Sequence, residues 1–150
     1  MKSCQTRSSR DSNRSELELV RSAFLRAQSR RGVTVCCHVP VLGRCIDMAY
    51  VLRSSLVTIE FKLHDWRKAI AQAKDHRLAA HHSYICMPQR SVSDVLLTSL
   101  NTAGVGLLFF KDEGKWPFSV HLEAPASNEA WRFAREEAIS YVLNNKGKWI

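Results

Sequence analysis

No apolar run in the chain approaches the roughly 18 to 20 residues that cross a bilayer, so no membrane association is expected. The hydrophobic stretch of a secretory signal is lacking too. A Ser/Arg-rich start (Ser8, Ser9, Arg10, Ser12, Arg14) hints at an organellar transit peptide, but Asp11, Glu16 and Glu18 argue against it, which leaves a soluble, cytoplasmic protein as the expectation. The five cysteines, at 4, 36, 37, 45 and 86, form no CxxC pair and no zinc-module spacing; they read as buried thiols in a reducing compartment. Collagen-like, disulfide-scaffold and wholly disordered classes are excluded by composition. The Gly104-Val105-Gly106 pair lacks the third glycine of a dinucleotide fingerprint, and no Ser/His/Asp or Cys/His arrangement stands out. There is no internal repeat.

What the chain does have is 150 residues, 45% of them apolar, enough for one domain that buries a core without metal or disulfide. Twenty-two Lys and Arg stand against fourteen Asp and Glu, a formal net charge of +8. Such an excess attracts polyanions, so nucleic acid leads as a partner, with simple solubility or an anionic membrane surface as the plainer readings.

Residues 1–14 are polar, carry Arg7, Arg10 and Arg14, and read as a basic flexible tail; residues 15–150 read as a single domain. Ser15 with Glu18 makes a capping box for a helix over 15–30, with Leu17, Val20, Phe24 and Ala27 at helical spacing and Gly32 at its end. Three strands follow, over 33–41, 44–52 and 56–62, as a meander. The period of two in the third puts Val57, Ile59, Phe61 and Leu63 on a core face, opposite Leu56, Thr58, Glu60 and Lys62. Asp65 caps a helix over 66–80. A strand over 83–87, a helix over 91–102, strands over 105–110 and 118–123 and a helix over 128–143 complete an α/β arrangement, a mixed sheet flanked by helices.

Glu60 and Lys62 lie two apart at a strand end and project the same way, and Asp47 sits thirteen residues earlier on the strand expected to pair with it. That path can bring both carboxylates within reach of one ion. Carboxylates and a carbonyl are hard oxygen donors suited to Mg²⁺ or Mn²⁺, which can polarise a phosphodiester and lower the pKa of a bound water. Lys62 would then orient that water or offset charge developing on phosphate oxygens. The plain alternative is a surface salt bridge between Glu60 and Lys62.

The segments Gly43-Arg44-Cys45-Ile46-Asp47, Thr58-Ile59-Glu60-Phe61-Lys62-Leu63 and Trp66 to Gln72 together resemble the PD-(D/E)xK nuclease superfamily, over the stretch from the first helix through Met87. The resemblance implies a restriction-endonuclease-like core: a helix, three antiparallel strands, a helix and a further strand. It implies Asp47 and Glu60 as metal carboxylates, the Phe61 carbonyl as a further ligand and Lys62 as the motif lysine. A glutamate from the first helix often joins the site, and Glu16 is preferred over Glu18, which the cap explains better. Some members carry QxxxY on the second helix. Here Gln72 matches and could hold Lys62 or a metal-bound water, whereas His76 replaces the tyrosine and Ile46 the proline of the founding motif.

Arg44, together with Arg67, Lys68, Lys74 and Arg77 on the second helix, reads either as a phosphate track or as an ordinary solvated face. His81 and His82 could contact phosphate or metal, or simply meet terminal carbonyls. Trp116, Trp131 and Trp149 could stack on bases, though core or interface packing is the expectation. The sequence thus points to a metal-dependent endonuclease acting on nucleic acid, DNA before RNA, with a homodimer left open. The rivals are a non-catalytic nucleic-acid-binding or assembly module on the same fold, and a domain whose basic face meets an acidic protein.

Overall fold

The computed structural model describes residues 16–149; the basic tail at 1–14 and the capping Ser15 lie outside the described residues. The chain builds a six-stranded sheet in the order β1 (Val33–Val41), β2 (Arg44–Leu52), β3 (Ser55–Phe61), β4 (His82–Pro88), β5 (Gly106–Phe110), β6 (Phe118–Leu122). β1, β2 and β3 form the expected antiparallel meander. The β3–β4 and β4–β5 pairs are parallel and β6 returns antiparallel. The parallel pairs follow from the two helices that return the chain between them, α2 (Trp66–His76) and α3 (Asp94–Ala103). With α1 (16–28) preceding the sheet and α4 (Arg132–Asn144) ending the chain, the described residues form a mixed sheet flanked by four helices.

Three clusters make the core. Val20, Ala23, Phe24 and Ala27 of α1 pack on Val57, Ile59 and Phe61. Trp66, Ala69, Ile70 and Ala73 of α2 meet Ile85, Met87 and the α3 residues Leu96 and Leu100. Ala134, Ala138 and Val142 of α4 cover Ile46, Ala49 and Leu56. Each fully buried aliphatic side chain contributes about 1.5–3 kcal/mol. The C-terminal segment adds to the free edge of β1: Gly147 N–H donates to Val35 O and Cys37 N–H to Lys148 O.

Several expectations shift. β3 is buried on both faces, since helices cover both sides of its central position; Leu56, Thr58 and Glu60 are as buried as Val57, Ile59 and Phe61. Leu17, expected in the core stripe, is exposed, and Ala23 takes its place. α2 stops at His76, four residues before Ala80, because Ala79 and Ala80 N–H both turn back to His76 O. Its start is as expected, with the Asp65 carboxylate accepting from Lys68 N–H. α3 begins at Asp94 behind the Ser93 cap and ends on Gly104, whose φ of +70° suits glycine. α4 begins at Arg132. Cys36, Cys37 and Cys86 are buried free thiols, but Cys45 faces solvent.

Candidate active site

The antiparallel register of β2 on β3, with Met48 opposite Ile59, carries Asp47 across from Glu60 at the end of β3. The two are interlocked. Asp47 N–H donates to Glu60 Oε1 (3.3 Å), and Phe61 N–H donates to Asp47 Oδ2 (2.9 Å). Burial first, and the Asp47 charge second, push the Glu60 carboxyl up to about 9, against a smaller opposing pull from Lys62. Without a countercharge Glu60 is therefore a neutral acid at pH 7.

Lys62 N–H continues the parallel pairing by donating to Cys86 O (3.0 Å), and its ammonium turns toward α1, 4.0 Å from Glu16 Oε1. Of the two α1 glutamates, Glu16 thus stands at the motif lysine. Gln72 and His76 share the face of α2 above this strand end, as their spacing of one turn requires. Among the described residues Gln72 Oε1 is buried with no hydrogen-bond partner, so it does not hold Lys62. His76 Nδ1 lies 3.6 Å from Glu60 Oε1, outside bonding range, and is likewise unpartnered. Burial holds the His76 imidazole down at about 4, so the ring is neutral. Nothing in a His at this spacing announced its approach to Glu60. His38 also escaped notice: the register that sets Cys37 opposite Met48 and Val39 opposite Ile46 places it across from Asp47, at a left-handed φ of 54°. That conformation is uncommon outside glycine, and among the described residues the His38 Nε2 is buried without a hydrogen-bond partner.

The expected basic track divides. Lys68 and Lys74 are exposed, and Arg67 lies over the Trp66 ring at 4.2 Å. Arg44 pairs with Asp75 at 3.0 Å but stays largely exposed. Arg77 is a structural residue: its side chain is 12% exposed, donates to Ala103 O (3.1 Å) and pairs with Glu129. It lies so close to Gly104 that a Cβ there would sit 2.6 Å from the guanidinium carbon. His81 and His82 do not join His76 in a site. His81 Nδ1 accepts from Leu56 N–H (2.9 Å) and His82 Nδ1 meets Ala124 O (3.0 Å). Trp116 packs on Tyr50 and Phe118, and Trp149 on Phe24, as expected of packing residues; Trp131 is exposed.

Whether these residues suit a divalent cation is answered by their chemistry. Two hard oxygen donors lie side by side at the strand end, and burial together with the Asp47 charge raises the Glu60 pKa, which an added cation would offset. Among the described residues no group of three His, Cys, Asp or Glu could hold a metal ion, so further ligands would be carbonyl, water or phosphate oxygens. Mg²⁺ favours such a set, needing one or two carboxylates with water and phosphate. The residues fit.

No family model and no curated protein matches the chain. Among solved structures it is similar to an XisH family protein from Nostoc punctiforme, at 14% identity over 68% of this chain and 98% of that one, with a TM-score of 0.52. It is similar in the same way to an FdxN element excision controlling factor protein from Anabaena variabilis, at 15% identity, 69% and 98% coverage and a TM-score of 0.51. SfsA from Pyrococcus furiosus, in complex with Ca²⁺, overlaps more loosely, at 13% identity, 78% and 64% coverage and a TM-score of 0.39. No helix among the described residues is long and apolar enough to cross a membrane. At these identities the first two likenesses speak for the fold alone, and that fold is the α/β, restriction-endonuclease-like core: a helix, an antiparallel meander, a helix and a parallel strand, extended by two strands and two helices.

Proposed function

We propose that the protein is a metal-dependent endonuclease that hydrolyses phosphodiester bonds in nucleic acid, DNA before RNA. The observation that carries this reading is the buried contact of Asp47 with Glu60 at the end of β3, beside Lys62. Asp47, Glu60 and the Phe61 carbonyl would hold Mg²⁺ or Mn²⁺, with Glu16 bearing on the site through Lys62. When bound, such an ion supplies an acidified water and a Lewis acid for the phosphate. Lys62 positions the attacking water and offsets charge on the phosphate oxygens. Gln72 has a free buried oxygen with which to accept a proton donor in the site, a water included. Arg44, Arg67, Lys68 and Lys74 give the backbone of the nucleic acid a basic surface to lie on.

A second reading, a non-catalytic nucleic-acid-binding or assembly module, draws on one observation, that no third acidic or imidazole donor completes a metal cluster among the described residues. That one fold neighbour is an excision controlling factor suits either role. The test is purified protein with Mg²⁺ or Mn²⁺ on linear, branched and single-stranded DNA and on RNA. The nuclease reading expects cleavage that Glu60→Ala and Lys62→Ala both abolish. Cleavage unchanged in both variants, or no divalent binding by titration calorimetry, overturns it in favour of the second.

A further inference from the structure

Beside the carboxylate pair, on the far side of His76, lies a separate cavity of about 250 Å³. Its walls are the β1–β2 turn at Val41 and Leu42, the end of α2 at Asp75 and His76, and Trp131 at the start of α4. Of the four tryptophans, Trp66 is buried and Trp116 and Trp149 pack against other rings, whereas Trp131 is 60% exposed. Its backbone is nonetheless pinned, since Trp131 N–H donates to Leu78 O (2.8 Å). An indole on a fixed main-chain position therefore stands open at the rim of a cavity. At the same rim Arg44 and Asp75 form an ion pair at 3.0 Å, the arginine side chain largely exposed and the carboxylate partly so, so a hydrogen-bond donor and an acceptor lie side by side.

We infer that this cavity takes one unpaired nucleobase, stacked on Trp131 with its polar edge on Arg44 and Asp75. Every base has a flat π-face that an indole can stack on, and every base edge carries donors or acceptors that a guanidinium and a carboxylate can meet. The net charge of +8 and the exposed Arg67, Lys68 and Lys74 favour a polyanion over an apolar protein segment as the occupant. A base whose face lies on the indole and whose edge meets Arg44 and Asp75 cannot at the same time be stacked and paired in a duplex, so the substrate of the neighbouring site is single-stranded or locally opened. His76 walls the cavity and also stands 3.6 Å from Glu60, which sets the held base next to the carboxylates. This assignment of substrate class rests on the nuclease reading, but the base pocket is a binding site that can be tested without cleavage.

The experiment is fluorescence anisotropy in EDTA with the full chain and a labelled mixed-sequence oligonucleotide, single-stranded and as its duplex. Trp131→Ala is expected to weaken single-strand binding about tenfold, the loss of one stacked base, with duplex binding unchanged. Trp131→Phe is expected to keep most of the affinity, and an oligonucleotide carrying 2-aminopurine to lose fluorescence on the wild type but not on Trp131→Ala. An unchanged single-strand affinity overturns the inference, as does an equal loss on both substrates or a change in oligomeric mass in its place. Failure of the nuclease reading looks different: no cleavage by the wild type while the Trp131-dependent binding persists.

Discussion

Two buried polar clusters sit two residues apart on β3, both roofed by α2, and they are finished in opposite ways. At Thr58 every group is satisfied: the hydroxyl donates to Ser83 Oγ (3.2 Å), which donates to Ala73 O (2.6 Å). At Glu60 the cluster stays open. A carboxyl is held neutral by burial and by Asp47, and Gln72 Oε1 and His76 Nδ1 have no partners. A buried polar atom without a partner costs about 1–3 kcal/mol, so a fold that only needed stability would have closed the second cluster as it closed the first. The difference separates a cluster that holds α2 to the sheet from one whose buried polar atoms are left without partners among the described residues.

The largest effect expected to sharpen this contrast is catalytic. Glu60→Gln or Lys62→Ala should lower cleavage by about 10²–10³-fold or more, read in single-turnover assays, while Thr58→Val should leave the rate per folded molecule within about twofold. Stability should run the other way. Thr58→Val or Ser83→Ala strands a buried partner and should lower Tm by about 3–8 °C, whereas Glu60→Gln in EDTA at pH 8 should raise it by about 3–6 °C. A Glu60→Gln protein less stable than the wild type would break the comparison.

The pH dependence has a defined sign. The Glu60 pKa is raised in the folded state, so its contribution is complete below about 4.5 and is lost as pH rises toward about 9. His76 is depressed, so its contribution is present above about 6.5 and is lost as pH falls toward about 4. Urea midpoints in EDTA should therefore decline from pH 5 to 9 in the wild type and decline less in Glu60→Gln. His76→Gln should flatten the acid limb between pH 6.5 and 4. The smallest effects concern the basic residues. Lys68→Ala or Lys74→Ala should each weaken binding modestly and reduce the slope of log affinity against log salt by about one. Arg77→Ala should lower stability by about 1–3 kcal/mol with that slope unchanged, because its guanidinium serves Ala103 O.

The element order and the meeting of Asp47 with Glu60 were legible in the sequence, because a period of two and a short turn fix which residues face each other across a hairpin. The double burial of β3 was not, since Leu56, Thr58 and Glu60 alternate with a more apolar set and look like a wet face until α2 and α4 are laid over them. Arg77 reads as one more surface charge in a basic helix. Its burial depends on Gly104, twenty-seven residues on, leaving room for the guanidinium. The approach of His76 to Glu60 depends on how a helix crosses the sheet, and the setting of the His38 ring against Trp149 goes with one left-handed backbone angle, neither of which a residue type announces.

The segment at Gly147 and Lys148 works like a selvedge on woven cloth. By occupying Val35 O and Cys37 N–H it closes the middle of that border, where the meander carrying Asp47 would otherwise offer those groups to another molecule's strand. Any fusion or trimming that unpicks those two bonds would bare Val35 O and Cys37 N–H to whatever strand came alongside.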